Sequence, residues 1–395
     1  MIEREKAEQA VEILKEKGMD LWLIFARETR VNPDPSLEYL LRSSLTWQSA
    51  IMVFSDGDRI AIVGELDRQE VERSGIFTKV IPYRGSLKEV LLSVLDEKNP
   101  SSIGLNYSLD DPTSDGLTHG MYLLLQEHLE GTRFIHRLTS AQKIVQALRS
   151  RKTPSELERI KRAIEETEKM FDRLTKVLRP GLKEKEVAEL FVGWMEELGA
   201  EPAWDPSSCP AVFAGPQEVG AHASPTDKAI KEGELLNIDF GIKLDGYCSD
   251  LQRMWYFLRK GETAPPPEVI KAFDTIKTAI QISAEELKPG KKGWEIDKIA
   301  RDYIVSQGYD EYPHALGHQV GRDAHDGAAL LAPTWERYGS LPYIPVEEGM
   351  VFTLEPRVNL PEYGVMSLEE MVIIGRDGAE FLSHPQKDLW VIGQG

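Results

Sequence analysis

Two stretches of this chain read as copies of one another, and each ends in an acid. Lys231-Glu232-Gly233-Glu234-Leu235-Leu236-Asn237-Ile238-Asp239 aligns with Glu347-Glu348-Gly349-Met350-Val351-Phe352-Thr353-Leu354-Glu355. In both, a glycine turn leads into an apolar, strand-like run that terminates in a carboxylate. A second acid follows in each copy, Asp250 after Asp239 and Glu369 after Glu355, close to a bend that contains Gly246 or Gly364. A carboxylate at the end of a buried strand is unfavourable unless it is paired or coordinates a metal. Placed twice by an internal repeat, four such acids can converge on a pseudo-twofold axis, which suggests a dinuclear metal site.

The repeat extends upstream. Leu178-Arg179-Pro180-Gly181 and the helical pattern after it (Glu186, Val187, Leu190, Trp194, Gly199) match Leu287-Lys288-Pro289-Gly290 and its helix (Glu295, Ile296, Ile299, Tyr303, Gly308). The run Pro265-Pro266-Pro267 opens the second copy. The first copy begins at Thr153-Pro154-Ser155-Glu156, a capping box with proline in the first turn. A helix then carries apolar residues at Leu157, Ile160, Ile164, Phe171, Leu174 and Leu178, and is expected to end at Pro180-Gly181. Residues 150–395 are therefore expected to form one domain of two helix-helix-strand halves with inward-facing acids.

Residues 1–149 read differently, as alternating helices and strands of a separate α/β domain. A charged helix over about 3–17 precedes the strand Leu21-Trp22-Leu23-Ile24-Phe25. Two further runs, 50–54 and 59–63, flank Ser55-Asp56-Gly57-Asp58 as a hairpin. Strands are expected near 79–83, 102–106 and 133–136, with helices near 87–97 and 117–129. No nucleotide-binding glycine loop occurs in this region.

Composition narrows the function classes. A net charge of −18 argues against a nucleic-acid-binding surface, which needs clustered Lys and Arg. The longest unbroken apolar run, Leu21 to Ala26, is far too short to span a bilayer. Cys209 and Cys248 are the two cysteines, so no disulfide framework is implied. The N-terminal residues read as charged helix rather than signal peptide, and together these features lead us to expect a cytoplasmic protein.

The acids lie beside a cluster of histidines. In Asp239-Phe240-Gly241-Ile242-Lys243-Leu244-Asp245-Gly246-Tyr247-Cys248-Ser249-Asp250, the Asp245-Gly246 turn makes a hairpin that can bring Asp239 and Asp250 side by side. Two carboxylates that close repel one another unless a cation holds them. His314-Ala315-Leu316-Gly317-His318 supplies histidines four apart, with His325 seven residues further on. Spacing alone does not say which of them binds metal. Neighbours on a strand point to opposite sides, so only one of Glu369 and Glu370 can face the acids.

These motifs resemble the M24 peptidases, whose "pita-bread" fold the chain is similar to over about residues 150–385. The first 149 residues resemble the N-terminal domain of the proline-specific members, the Xaa-Pro dipeptidases (prolidases) and Xaa-Pro aminopeptidases. The resemblance implies an α+β fold, a creatinase/aminopeptidase-like pita-bread domain preceded by an α/β domain. It implies five metal ligands, Asp239, Asp250, His318, Glu355 and Glu369, in the family's order. It also implies substrate-contacting roles for His222 beside the leaving group, His325 at the scissile carbonyl and His314 as a helper.

Four carboxylates and an imidazole suit two divalent ions, manganese first, with cobalt, zinc or iron tolerated. Such a pair activates a water for attack on a peptide carbonyl, and Glu355 is the ligand expected to carry the proton to the leaving nitrogen. Three residues depart from the family pattern: Ser367 replaces an arginine, Asn359 a tyrosine and Arg357 a glycine. If the strand alternates, Arg357 shares a face with Glu355 and can supply a positive charge in place of the lost arginine or bind a substrate carboxylate; the other reading is a surface arginine on a loop. Arg27, Arg30 and Arg42 are further candidates for binding a substrate carboxylate. The resulting expectation is an Xaa-Pro dipeptidase acting on small proline-containing peptides as a homodimer. The alternatives are an Xaa-Pro aminopeptidase acting on longer peptides and, more remotely, a non-catalytic peptide-binding scaffold.

Overall fold

The computed structural model describes residues 2–109, 111–216 and 223–393. The chain divides into two compact units, one ending at Arg149 and the other beginning at Ser150.

The first unit is built on a six-stranded mixed sheet. Its strands are β1 (Leu21–Ala26), β2 (Ser49–Phe54), β3 (Arg59–Gly64), β4 (Lys79–Tyr83), β5 (Ile103–Leu105) and β6 (Leu138–Ser140), in the order β4-β3-β2-β1-β5-β6. The uninterrupted apolar run of β1 follows from its place inside this sheet, since both faces are covered. Trp22, Ile24 and Ala26 pack toward the helices Ile2–Lys17 and Gln142–Ser150, while Leu21, Leu23 and Phe25 pack toward Leu87–Lys98 and His119–Leu129. The segment read from sequence as a strand near 133–136 is instead a 3₁₀ turn, Arg133–Arg137, and the strand follows it. Thr132 caps that turn through the Phe134 N–H, and Phe134 is its buried residue.

In the second unit the repeat is visible as backbone geometry. The helices Pro154–Thr175 and Glu184–Leu198 of the first half correspond to Pro267–Glu286 and Gly293–Ser306 of the second. Each second helix is preceded by a glycine in the left-handed region, Gly181 at φ 91° and Gly290 at φ 90°. Their N–H groups donate to Ile230 and Val346, themselves equivalent in the two copies, at 2.9 and 2.8 Å. The Thr153–Glu156 capping box forms at the start of the first helix. That helix ends at Thr175, before the expected Pro180-Gly181, and a turn carries the chain onward.

The strands of this unit are β7 (Glu201–Pro202), β8 (Ala211–Ala214), β9 (Leu235–Phe240), β10 (Ile242–Leu244), β11 (Tyr247–Cys248), β12 (Leu251–Phe257), β13 (Val351–Leu354), β14 (Arg357–Leu360), β15 (Gly364–Ser367), β16 (Glu370–Ile374), β17 (Ala379–Phe381) and β18 (Trp390–Ile392). One sheet runs β18-β12-β9-β8 and another β13-β16-β17. They meet at a bridge between Gln252 and Glu369. The hairpins β10-β11 and β14-β15 occupy equivalent places in the two halves, each between a first and a second acid. Asp245 and Gly246, at φ 51° and 81°, turn the first hairpin as Asp-Gly pairs do. Among the described residues no helix is long and apolar enough to cross a membrane.

Candidate metal centre

Each acid sits where a strand of the repeat begins or ends. Asp239 is in β9, flanked by Ala211 of β8 and Gln252 of β12. The register therefore places Gln252, rather than Asp250, directly across from Asp239. Asp250 lies just before β12, near enough for its carboxyl group to hydrogen-bond Asp239. Glu355 follows β13, Glu369 precedes β16, and the pairing of Leu354 with Glu370 leaves the two glutamates neighbours at the sheet end.

His318 arrives from a loop stitched onto β13. Its N–H donates to Thr353 Oγ1 at 3.2 Å, and the Thr353 N–H returns to the His318 carbonyl at 2.9 Å. The Glu355 N–H donates to the Leu316 carbonyl at 2.7 Å. A side chain at Gly317 would overlap the Thr353 carbonyl, so the residue before His318 must be glycine for the loop to approach this closely. The helix Gly293–Ser306 braces the same loop. Asp297 and Arg301 pair at 2.8 Å, Arg301 donates to the carbonyls of Tyr312 and His314, and Asp297 accepts from the Leu316 N–H.

The side chains then converge. His318 Nε2 lies 3.6 Å from Asp250 Oδ2, 3.5 Å from Glu355 Oε1 and 4.0 Å from Glu369 Oε1. Asp250, His318 and Glu369 could share one ion. Asp239, Asp250, His318, Glu355 and Glu369 all line one cavity of about 640 Å³. His314 and His325 line it too, and the His325 ring stands edge-on to that of His318 at 4.3 Å between centroids. Trp204, Leu330, Tyr338 and Leu341 give the cavity an apolar wall.

The electrostatics of the cluster are set by burial and by repulsion between its acids. Burial pushes the carboxyl groups of Asp239, Asp250 and Glu355 well above the ordinary range, and repulsion from Glu369 adds to each shift. Burial lifts Glu369 to about 7, against the pull of hydrogen bonds from Gln252 and Thr353. Asp239 Oδ1 and Glu369 Oε1 are buried with no hydrogen-bond partner. Native structures rarely leave buried carboxylate oxygens unsatisfied, and an ion is one standard reason. Hard oxygen donors with one imidazole fit divalent metal ions well.

The other expected site residues divide. His314 lies on the cavity wall, where burial lowers its imidazole to about 4, with Arg357 and Arg301 contributing to the shift. Arg357 starts β14 opposite Ser367 and is close enough to His314 to disfavour its protonation. It is not among the residues lining the cavity, and burial lowers its own pKa. His222 lies outside the described residues. In the first unit, Arg42 forms an ion pair with Glu3. Glu370 turns away from the cavity and binds Arg253 through both oxygens at 3.1 Å.

Sequence reasoning did not single out Gln252, Trp204 or the Asp297–Arg301 brace. Gln252 lies two residues after Asp250, and only the β9-β12 register shows that it faces Asp239.

A buried acid cluster with a histidine, opening on a partly apolar cavity in a pita-bread domain, defines a metallohydrolase class. The sequence profile of metallopeptidase family M24 matches residues 158–376, and that of the Creatinase/Prolidase N-terminal domain matches residues 6–151. The chain belongs to metallopeptidase family M24 and is a peptidase. It is 26% identical over 349 residues to the uncharacterized peptidase YqhT of Bacillus subtilis, covering 87% of this chain and 90% of that one. It is 26% identical over 351 residues to the Xaa-Pro dipeptidase of Lactobacillus helveticus, covering 87% and 88%. The crystal structure of X-Pro aminopeptidase from Thermotoga maritima superposes with a TM-score of 0.72 at 25% identity, covering 96% of this chain and all of that one.

Proposed function

We propose that this protein is a dinuclear metal-dependent Xaa-Pro dipeptidase that hydrolyses small Xaa-Pro peptides and releases free proline. The observation that carries this reading is the cluster itself: four acids without a lysine or arginine ion pair among the described residues, two of them with orphaned buried oxygens, gathered around His318. In this reading Asp239, Asp250, His318, Glu355 and Glu369 hold two divalent ions, with manganese the first candidate. Bound ions would supply Lewis acidity and a water of lowered pKa.

The chain's own residues do the rest. Glu355, partly exposed to the cavity, takes a proton and delivers it to the proline nitrogen as the bond breaks. His325 donates toward the carbonyl oxygen as charge develops there. His314, held neutral by its surroundings, offers a hydrogen bond without adding a charge. His222 is assigned to the leaving-group side by resemblance. The wall of Trp204, Leu330, Tyr338 and Leu341 packs the proline ring and excludes water.

The choice of dipeptide rests on the likeness to the Xaa-Pro dipeptidase of Lactobacillus helveticus. A second reading, an Xaa-Pro aminopeptidase, is favoured by the likeness to the Thermotoga maritima enzyme. We further propose the domain limits 1–149 and 150–395, a homodimer and a cytoplasmic location. The test is hydrolysis of an Xaa-Pro dipeptide against an Xaa-Pro-Xaa tripeptide by metal-stripped protein given Mn²⁺. Cleavage of the dipeptide alone is expected, rapid tripeptide cleavage favours the second reading, and failure to cut either overturns both.

A further inference from the structure

Gln252 touches the acid cluster from within the sheet. It is buried in β12 opposite Asp239, and its Nε2 donates to Glu369 Oε2 at 3.1 Å and reaches Glu355 Oε2 at 3.5 Å. The other end of the amide is fixed as well. Gln252 Oε1 accepts from Asn237 Nδ2 at 3.3 Å, and Asn237 Nδ2 also donates to the Ser367 carbonyl at 3.1 Å. The Ser367 carbonyl can only accept, so it fixes the Asn237 amide, and Asn237 Nδ2 in turn fixes Gln252 with Oε1 toward Asn237 and Nε2 toward the glutamates.

This contact sorts the oxygens of the two glutamates. In each, Oε2 faces Gln252 and Oε1 faces His318, at 3.5 Å for Glu355 and 4.0 Å for Glu369. Asp250 Oδ2 approaches the same imidazole nitrogen at 3.6 Å. The amide thus gathers Asp250 Oδ2, His318 Nε2, Glu355 Oε1 and Glu369 Oε1 into one set of donors. Asp239 receives no hydrogen bond from Gln252. An arginine or lysine at this place could orient the glutamates equally well, but its charge would repel a divalent ion. A neutral amide orients them and leaves their full charge available.

We propose that Gln252, oriented by Asn237, is a positioning residue that pre-forms the His318 half of the metal centre. The proposal rests on the dinuclear reading above. Its consequence is asymmetric: losing the amide frees the rotamers of both glutamates, and the ion served by His318 suffers most. Outer contacts of this kind are typically worth about 10–100-fold in metal affinity.

The experiment is a Co²⁺ titration of the metal-stripped full chain, followed by calorimetry and by the visible spectrum of the bound ions, for the parent protein, Gln252→Leu and Asn237→Leu. Paramagnetically shifted imidazole signals identify the ion bound to His318. The parent protein is expected to bind two ions. Gln252→Leu is expected to keep one at parental affinity and to bind the His318-linked ion about 10–100-fold more weakly. Asn237→Leu leaves the glutamate contacts in place and is expected to shift the same ion in the same direction by less; it decides the matter if Gln252→Leu does not fold. Parental affinity for both ions in the folded variants overturns the proposal, as does equal weakening of both. A parent protein that takes up fewer than two ions fails the dinuclear reading itself, and that outcome is seen before any variant is made.

Discussion

Glu369 and Glu370 are adjacent in sequence, equally buried, and have opposite surroundings. Glu370 points behind β16, where Arg253 meets both its oxygens, Ser383 Oγ donates at 2.6 Å and the Gln386 N–H at 3.0 Å. Glu369 points into the cavity among three other acids, with one oxygen held by Gln252 and the other without a hydrogen bond. Burial raises the pKa of both carboxyl groups, and Arg253 pulls against that rise in both. The difference teaches how the same chemistry serves two ends. Behind the strand, the protein supplies the counter-charge and the glutamate is part of the packing. In front of it, the counter-charge is left for something that binds.

The largest expected effect separates chemistry from packing. Glu355→Gln should lower kcat by on the order of 10²–10⁴-fold while the metal-free protein melts no lower, because an unfavourable buried acid has been removed. A large drop in melting temperature would show that Glu355 belongs to the packing side of the comparison. His325→Gln should cost about 10²–10³-fold in kcat, the usual loss for one group that stabilises developing charge. An unchanged kcat would remove His325 from the catalytic reading.

Behind β16 the effect should be on stability. Among the described residues, Glu370→Gln leaves Arg253 with only the longer ion pair to Glu168, at 3.8 Å, and should destabilise the fold by about 1.5–3 kcal/mol in denaturant unfolding. Glu369→Gln should instead leave the metal-free fold as stable or more so. Equal losses from the two substitutions would erase the contrast between them.

A subtler difference lies in pH. Without metal, burial holds Glu369 to about 7 in the folded protein, above the ordinary value of 4.5. The folded state then keeps a proton that the unfolded chain has released, so stability falls as pH rises from about 4.5 through 7. Glu369→Gln should flatten that slope in urea titrations of the stripped protein, whereas a slope equal to the parent's would place the burden on other acids. The smallest effect concerns His314, lowered to about 4 from 6.5. Its folded pKa lies below the unfolded value, so it contributes stability that is present above pH 6.5 and lost as pH falls toward 4. Its imidazole resonances should hold steady between pH 5.5 and 8, and a titration near 6.5 would contradict its burial.

Much of this site was legible because a repeat is a pattern of spacing. The Gly233 and Gly349 turns, each followed by an apolar strand and an acid, recur in the structure with φ of 79° and 85°. The capping box at Thr153 and the Asp245-Gly246 turn are local signals, and local backbone chemistry realised them. The strand expected at 133–136 failed for a related reason. Phe134 and Ile135 are apolar, but Thr132 caps a 3₁₀ turn there, and a short apolar run does not distinguish the two. Arg357 shows the limit of strand alternation as a guide: the chain breaks pairing between β13 and β14, so parity with Glu355 does not carry Arg357 into the cavity lining.

The sequence by itself determined which residues carry the chemistry, because a duplicated strand ending in an acid and a glycine-flanked histidine pair are written in residue type and spacing. Tertiary structure decided which neighbours those residues meet. Register, which no local pattern specifies here, set Gln252 rather than Asp250 across from Asp239. The meeting of the two sheets at Gln252 and Glu369 joined groups more than a hundred residues apart. Whether a buried glutamate finds an arginine or another acid is a long-range matter, fixed only when both halves of the repeat have closed on one another.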